Sequence, residues 1–262
     1  MVRRPLGNHH HGPDTLLVTP DTTQTDAVTV ETEILRELIA PVRYVVFDFD
    51  GPICRLFAGH SAEQVAKDLV AWLEGQGLHG LLTDEERVHP DPMVVLYAIN
   101  RRRPRSDLVA ELEERFTQLE LKAVASAMPT AYADPLIRTW SALGSRLAVA
   151  TNNSPRTVAD YLAGRGLTGC FSRHIYGRTS DLHLLKPDPH CLNRALGALG
   201  ATPSAALMIG DTPTDLVAAE RAGVPFLGYA RDEDKGRQLR DAGARVVVRS
   251  LETVLKVLRS RT

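Results

Sequence analysis

Short apolar runs that end in polar residues recur along the chain. Residues 44–47 read Tyr-Val-Val-Phe and are followed by Asp-Phe-Asp-Gly-Pro. The pattern returns at residues 146–150, followed by Thr151, and at residues 206–209, followed by Gly-Asp-Thr. Runs of this length, ended by turn residues, predict buried strands with a polar carboxyl end.

Weaker strands and amphipathic helices alternate over the second half of the chain. The weaker strands are predicted at 172–176, 225–229 and 244–248. The helices are predicted at 156–164, 189–199, 215–222, 234–242 and 250–258. Strands that alternate with helices indicate an α/β fold with a doubly wound parallel sheet.

The segment between the first two strong strands is far longer than a crossover requires. About 90 residues separate them, whereas a crossover connection needs about a dozen. Helices are predicted there at 60–75, 83–88, 92–100, 106–127 and 134–143, and no β-rich stretch is found. The sequence therefore predicts a helical insertion of domain size at the carboxyl edge of the first strand.

Composition excludes several classes of partner. The chain has 262 residues, of which 44% are apolar and 24% charged, so it can bury a substantial core. Its 31 Lys and Arg residues nearly balance 32 Asp and Glu residues, which gives no global basic field for nucleic acid or an anionic membrane. No run approaches the roughly 18 apolar residues of a membrane span. We expect no nucleic-acid and no membrane partner.

The first 34 residues differ from the rest in composition. They are rich in Thr, Pro, Gly and His and have no apolar period, so we expect a disordered leader. No apolar run follows the early positive charges, so we expect no secretory signal. The three cysteines are widely spaced and form no CxxC pair, which favours a reducing, cytoplasmic location.

The chemistry-bearing residues of the chain fall at the predicted strand ends. They are Asp48, Asp50, Thr151, Asn152, Asp211 and Asp215, with Lys186 in a loop before a helix. Carboxylates this close repel one another unless a cation lies between them, and Mg²⁺ prefers such hard oxygen ligands. Lys186 adds a fixed positive charge and Thr151 a hydroxyl, which suits a phosphoryl group with its metal. One carboxylate could then attack phosphorus.

These motifs resemble those of the haloacid dehalogenase superfamily of phosphotransferases. Four motifs are matched in order by residues 48–51 (DFDG), Thr151, Lys186 with Pro187, and residues 210–215 (GDTPTD). The helical insertion is similar to the helical C1 cap of the phosphoglycolate phosphatase-like subfamily. The resemblance covers about residues 42–258. It implies a Rossmann-like core at 35–56 and 136–262, and a cap domain at 57–135.

The resemblance implies a Mg²⁺-dependent phosphatase that acts through an aspartyl-phosphate intermediate. Asp48 would be the nucleophile and a metal ligand. Asp50 would be the general acid and base, with its backbone carbonyl on the metal. Asp211 and Asp215 would complete the metal site.

The remaining predicted contacts concern the substrate. Thr151 and Lys186 would hold the phosphoryl oxygens, together with the backbone N–H of Asn152. Arg55 could meet a second anionic group of the substrate. Pro52 stands where the family usually has Thr or Val, and it stiffens the loop towards the cap.

Other functions stay open at this stage. A phosphosugar mutase of the same family would carry the same motifs, and so would a non-catalytic module that binds a phosphorylated ligand. A dehalogenase is disfavoured, because Asp50 and Asp211 together suit phosphoryl chemistry. The expected partner is a small phosphorylated metabolite, and a monomer or homodimer is expected.

Overall fold

The computed structural model describes residues 32–260 of the chain. Residues 1–31, which make up most of the predicted leader, lie outside the described part. The leader was expected to extend to residue 34, but residues 32–39 form a helix, α1, whose side chains Leu35 and Ile39 are buried. No described helix is long and apolar enough to cross a membrane.

A six-stranded parallel sheet forms the centre of the molecule, and its strand order is β5-β4-β1-β6-β7-β8. Its strands are β1 (Tyr44–Phe47), β4 (Arg146–Ala150), β5 (Ile175–Tyr176), β6 (Ala206–Gly210), β7 (Phe226–Tyr229) and β8 (Val247–Val248). The chain adds strands on one side of β1 and then on the other. This reversal next to β1 creates the crevice in which ligands of doubly wound sheets bind.

Both faces of the sheet are buried, as the continuous apolar runs of the strands require. Successive residues of a strand point to opposite faces. Val45 and Phe47 accordingly belong to one hydrophobic cluster, and Val46 belongs to the other. The sequence-based prediction of a doubly wound α/β core is confirmed.

Helices cover the two faces of the sheet and build the insertion. On the first face lie α1, α6 (Ala133–Ala142), α7 (Pro155–Gly164), α8 (Thr168–Phe171) and α12 (Leu251–Arg259). On the second face lie α9 (His190–Leu199), α10 (Pro213–Arg221) and α11 (Glu233–Asp241). The remaining helices are α2 (Ala62–Gly75), α3 (Asp84–Val88), α4 (Pro92–Arg102) and α5 (Asp107–Val124).

Helices α2–α5, which we call the helical insertion, have a hydrophobic cluster of their own. It contains side chains such as Leu69, Leu96 and Phe116, together with Leu182 and Leu185 from the loop before α9. The insertion thus packs on the loop that carries Lys186. Its presence confirms the prediction of inserted helices.

One element of this region was not predicted. Strands β2 (Cys54–Arg55) and β3 (Met128–Pro129) pair antiparallel on the two chain segments that flank the insertion. The absence of a β-rich stretch was predicted correctly, but these two short strands were not predicted. Strands of two residues are too short to show the alternation by which strands are recognised.

The two tryptophans of the chain differ in burial, one in the core of the sheet and the other in the helical insertion. Trp140 is 1% exposed and packs edge-on against Phe47 under the sheet, whereas Trp72 of the insertion is half-buried. We expect Trp140→Ala to lower the free energy of unfolding by about 3–5 kcal/mol. Trp72→Ala should cost less, since it removes less buried surface. Urea unfolding followed by circular dichroism measures both, and a larger loss for Trp72→Ala would contradict this packing.

Candidate active site

Three strands of the sheet bring their polar residues together. Asp48 directly follows β1, Thr151 follows β4, and Asp211 follows β6. Because β1 lies between β4 and β6, the carboxyl ends of these three strands meet at one edge of the sheet. All three residues are buried. The structure thus places them at the point where the order of the strands reverses.

Lys186 lies at the centre of this group. Its Nζ lies 2.7 Å from Asp48 Oδ1, 2.5 Å from Asp215 Oδ1 and 3.1 Å from the carbonyl oxygen of Ala150. An ammonium group has three donors, and all three are used. Burial by itself lowers the pKa of Lys186, but the charges of Asp215 and Asp48 outweigh it and hold the pKa above its ordinary value. Lys186 is therefore a fixed positive charge at neutral pH.

Asp215 is held by the first turn of α10. Thr212 caps this helix, and Asp215 Oδ2 accepts hydrogen bonds from the Thr212 hydroxyl and from the backbone N–H groups of Thr212 and Asp211. Its Oδ1 accepts from Lys186. With both oxygens occupied, the carboxylate orients its neighbours. A Cβ at Gly210 would lie 2.5 Å from Asp215 Cβ, so a glycine is needed there.

Asp48, Asp211 and Asp215 form a cluster of acidic groups that could hold a metal ion, since one oxygen from each lies within 4.8 Å of the others. Asp211 Oδ1 is buried without a hydrogen-bond partner among the described residues. Its Oδ2 accepts from Lys235 Nζ at 2.8 Å. Burial raises the pKa of Asp211 to about 6, although Lys235 lowers it. A buried, unpartnered carboxylate oxygen beside a second carboxylate fits a hard divalent cation.

Asp50 is separate from this cluster. Its Oδ1 accepts a hydrogen bond from the backbone N–H of Leu56 at 2.8 Å, and its side chain lines the same cavity. Burial raises the pKa of Asp50 to about 6, against the lowering effect of that hydrogen bond. Burial also raises the pKa of Asp48, although Lys186 opposes the shift. Asp50 can thus carry a proton closer to neutral pH than an ordinary aspartate.

Asn152 has a structural role that the sequence did not suggest. Its side-chain amide donates to the carbonyl of Lys186 at 3.0 Å, and its Oδ1 accepts from the Lys186 backbone N–H at 2.8 Å. This pair of bonds fixes the Lys186 loop to the end of β4. Thr151 Oγ1 accepts from the backbone N–H of Asn153 at 3.2 Å, which orders the turn after β4.

Arg55 is the predicted site residue that lies apart. It is exposed on β2, where its guanidinium lies 3.1 Å from Met128 Sδ. It is absent from the lining of the cavity formed by Asp48, Asp50, Thr151, Asn152, Lys186 and Asp215. Asp211 is absent from that lining too, but it belongs to the acidic cluster.

A buried ion pair beside the site was missed by sequence reasoning. Arg178, which follows β5, donates to both carboxylate oxygens of Glu120 on α5, at 3.0 and 3.1 Å, and both side chains are fully buried. Arg178 also donates to the carbonyl of Asn152. Glu120 accepts from the Asn153 side chain and from the Ser154 backbone N–H. The pair therefore connects the helical insertion to the turn after β4.

A signal for Glu120 was present in the sequence. It lies on the apolar stripe of α5, in step with Val109, Leu112, Phe116 and Ala123. A charged residue on the buried side of a helix requires a partner, so it indicates a buried ion pair. The partner, Arg178, lies 58 residues away in a loop, and the sequence gives no means of choosing it.

A cavity of about 210 Å³ opens over these residues. Its lining comprises Asp48, Asp50, Phe57, Asp91, Pro92, Met93, Phe116, Glu120, Thr151, Asn152, Asn153, Lys186, Thr212, Thr214 and Asp215. The core supplies most of the polar lining, and the helical insertion with the segment before it supplies the apolar part. This arrangement of acidic groups and a lysine around a pocket suits chemistry on a small anionic group.

Comparison with known proteins identifies the family. A family model of haloacid dehalogenase-like hydrolases matches residues 42–223. Phosphoglycolate phosphatase of Rhodospirillum rubrum is 30% identical over 199 residues, which cover 72% of this chain and 81% of the relative. Phosphoglycolate phosphatase of Thiobacillus denitrificans is 27% identical over 84% of this chain and 97% of the relative. The chain belongs to the haloacid dehalogenase-like hydrolase family, which confirms the resemblance seen in the motifs.

Within that family the chain is a phosphoric monoester hydrolase similar to these phosphatases. Solved structures share the fold. CbbY from Rhodobacter sphaeroides, in complex with phosphate, has a TM-score of 0.61 at 21% identity and covers 83% of this chain and 99% of its own. A haloacid dehalogenase-like hydrolase from Streptococcus pneumoniae has a TM-score of 0.60 at 17% identity, with coverage of 83% and 98%.

The burial of the Glu120–Arg178 pair predicts how substitutions there change the free energy of unfolding. Arg178→Met leaves the buried Glu120 carboxylate without its cation and should lower the free energy of unfolding by about 3–5 kcal/mol. Glu120→Leu should cost less, because Arg178 keeps its pair with Glu113 at 2.9 Å. The double variant should lose less than the sum of the two by ~1 kcal/mol or more. Urea unfolding of all four proteins measures this coupling.

An exposed pair provides the control. Arg156 and Glu114 also join α7 to α5, but their side chains are 57% and 52% exposed. Arg156→Ala should cost less than about 1 kcal/mol. Additive losses in the Glu120 and Arg178 variants would mean that the buried pair is not the link described here.

Proposed function

We propose that the chain is a Mg²⁺-dependent phosphatase that releases phosphate from a small phosphorylated metabolite through an aspartyl-phosphate on Asp48. One observation supports this most strongly. The Asp48 carboxylate lines the cavity, lies 2.7 Å from the Lys186 ammonium, and forms an acidic cluster with Asp211, whose Oδ1 has no partner among the described residues. A nucleophile, a fixed cation and an open metal ligand thus meet at one point.

The metal would be held by Asp48, Asp211 and the backbone carbonyl of Asp50, with Asp215 orienting the site. The ion supplies positive charge that neutralises the carboxylates and the phosphoryl oxygens. The donor set supports this choice, because all the available ligands are hard oxygens. The Asp215 carboxylate already accepts from Lys186, Thr212 and Asp211, so we assign it the orienting role.

The reaction then has two steps. An Asp48 oxygen attacks phosphorus, and the bond to the leaving-group oxygen breaks while Asp50 gives that oxygen its proton. In the second step Asp50 takes a proton from water, the water oxygen attacks phosphorus, and the bond to Asp48 breaks. Inorganic phosphate leaves and Asp48 is regenerated. The raised pKa of Asp50, about 6, supports its alternation between acid and base near neutral pH.

Lys186, Thr151 and Asn152 would position the phosphoryl group. In this proposal Lys186 offers charge to both Asp48 and the phosphoryl oxygens, which lowers the repulsion between the two anions. The Thr151 hydroxyl and the Asn152 backbone N–H would hold the remaining oxygens. The amide of Asn152 keeps Lys186 in place through its two bonds to the loop.

Residues 57–135, which include the helical insertion, would form a cap domain over the cavity. It would exclude water from the cavity and contact the leaving group. Support comes from its own hydrophobic cluster, its place above the carboxyl edge of β1, and the part of the cavity lining that it supplies. A cytoplasmic location and a small soluble substrate follow from this proposal.

The nucleophile is tested by Asp48→Asn. The amide cannot form the acyl phosphate, so we expect phosphate release from a panel of phosphomonoesters to fall at least about 10³-fold. Asp160→Asn, an exposed aspartate on α7, is the matched control and should keep full activity. Release should also stop when a chelator removes Mg²⁺. An Asp48→Asn enzyme that turns over at the unaltered rate would exclude the mechanism.

Metal binding is tested by thermal unfolding at two pH values. The pKa values of Asp50 and Asp211, raised to about 6, lie above the unfolded value of 3.8. Their contribution to stability is therefore fully present below about pH 3.8 and is lost as the pH rises through 6. Mg²⁺ should restore it, so saturating Mg²⁺ should raise Tm more at pH 7.5 than at pH 5.

Asp211→Asn is the variant for that experiment. It removes one charge from the cluster, so the protein without metal should be at least as stable at pH 7.5, and the rise in Tm with Mg²⁺ should be lost. An equal rise with Mg²⁺ in both proteins would show that the metal binds elsewhere.

A further inference from the structure

The wall of the cavity opposite Asp48 has an unusual composition. Phe57, Pro92, Met93 and Phe116 line it with apolar surface. These residues belong to the helical insertion or to the segment that leads into it, so they face the part of a substrate that extends away from the phosphoryl group.

Two carboxylates accompany this apolar surface. Glu120 is neutralised, because Arg178 donates to both of its oxygens. Asp91 is different: it is exposed, and its Oδ1 accepts only the backbone N–H of Met93, as the N-cap of α4. Within residues 32–260, Asp91 forms no ion pair. Its negative charge therefore faces the leaving-group side of the cavity without a countercharge.

Within residues 32–260, no cation other than Lys186 lines this cavity to meet an anionic leaving group. In the proposed mechanism the charge of Lys186 serves Asp48, 2.7 Å away, and the phosphoryl group, so it is not left over for a second anionic group of the substrate. Lys235 and Arg231, whose positive charges act on Asp50, lie outside the lining.

Each of these outlying cations is also engaged elsewhere. Arg231 pairs with Asp232 at 3.1 Å, and Lys235 pairs with Asp211 at 2.8 Å. Arg55 lies against Met128, outside the lining. A carboxylate or a second phosphate on the substrate would meet Asp91 and apolar surface, where an unpaired charge is costly.

We propose that the physiological substrate is a phosphomonoester of a small alcohol that carries no negative charge of its own. This inference rests on the phosphatase function proposed above. The alcohol is neutral or bears an amino group that donates a hydrogen bond to the Asp91 carboxylate. Such a substrate differs from those in the names of the relatives, phosphoglycolate and pyrophosphate, which both carry a second anionic group.

The test compares substrates of equal carbon number whose far ends differ chiefly in charge. In 2-hydroxyethyl phosphate and phosphoglycolate, phosphate is bound to the same two-carbon unit, which ends in a hydroxyl or a carboxylate. With wild-type enzyme and Mg²⁺, we expect kcat/KM to be about tenfold higher for 2-hydroxyethyl phosphate, a difference of ~1.4 kcal/mol in transition-state binding. For 2-aminoethyl phosphate it should be at least as high as for the hydroxyl compound.

Asp91→Asn connects the preference to the residue. Asparagine caps a helix as well as aspartate does, so α4 should keep its start while the charge is lost. We expect the ratio between 2-hydroxyethyl phosphate and phosphoglycolate to shrink by at least about threefold, mainly through better use of phosphoglycolate. Asp107→Asn, an exposed aspartate in the first turn of α5, is the control and should leave the ratio unchanged.

The outcomes separate this inference from the proposed function. A kcat/KM for phosphoglycolate or pyrophosphate equal to or above that for 2-hydroxyethyl phosphate overturns the inference and leaves the phosphatase mechanism intact. A preference that does not change in Asp91→Asn overturns the role of Asp91 and, with it, the argument from the cavity wall. Failure to release phosphate from any of the compounds overturns both.

Discussion

The site depends on one electrostatic constraint: three carboxylates are held close together in a buried place, with Lys186 bonded to two of them and Lys235 to the third. Asp48 and Asp215 share Lys186, while Asp211 keeps one oxygen without a partner. Burial raises the pKa values of Asp48 and Asp211, which means that full ionisation of the cluster is unfavourable in the folded chain without metal. A divalent cation would stabilise the ionised carboxylates and, at the same time, attract a phosphoryl group.

The rest of the fold maintains this strained arrangement. The parallel sheet fixes three strand ends at one edge, and the first turn of α10 fixes Asp215. Asn152 secures the Lys186 loop, and the buried Glu120–Arg178 pair joins the turn after β4 to the helical insertion. Since these contacts lie on separate chain segments, the chain must complete its tertiary fold before the site exists. The insertion is thereby connected both to the apolar cavity wall and to the turn that would hold phosphate.

The sequence predicted the site residues best where a reactive side chain directly follows a recognisable strand. Asp48, Thr151 and Asp211 each follow a recognisable apolar run, so their meeting at one sheet edge could be predicted from strand order rules alone. The short strands β2 and β3 could not, because two residues carry no period. The pairing of Glu120 with Arg178 also could not be predicted, because long-range partners depend on how the insertion packs. The same holds for Asp91, whose importance comes from facing the cavity rather than from any motif.

The central claim is that Asp48 carries the phosphoryl group during turnover. It is tested most directly by quenching the enzyme during turnover and reducing it with borohydride, which converts an acyl phosphate of aspartate into homoserine. Peptide mass spectrometry then locates the reduced residue. The account predicts homoserine at position 48, and none there when substrate is omitted. Absence of homoserine at position 48 from an enzyme that is turning over, or its appearance at position 50 instead, would contradict it.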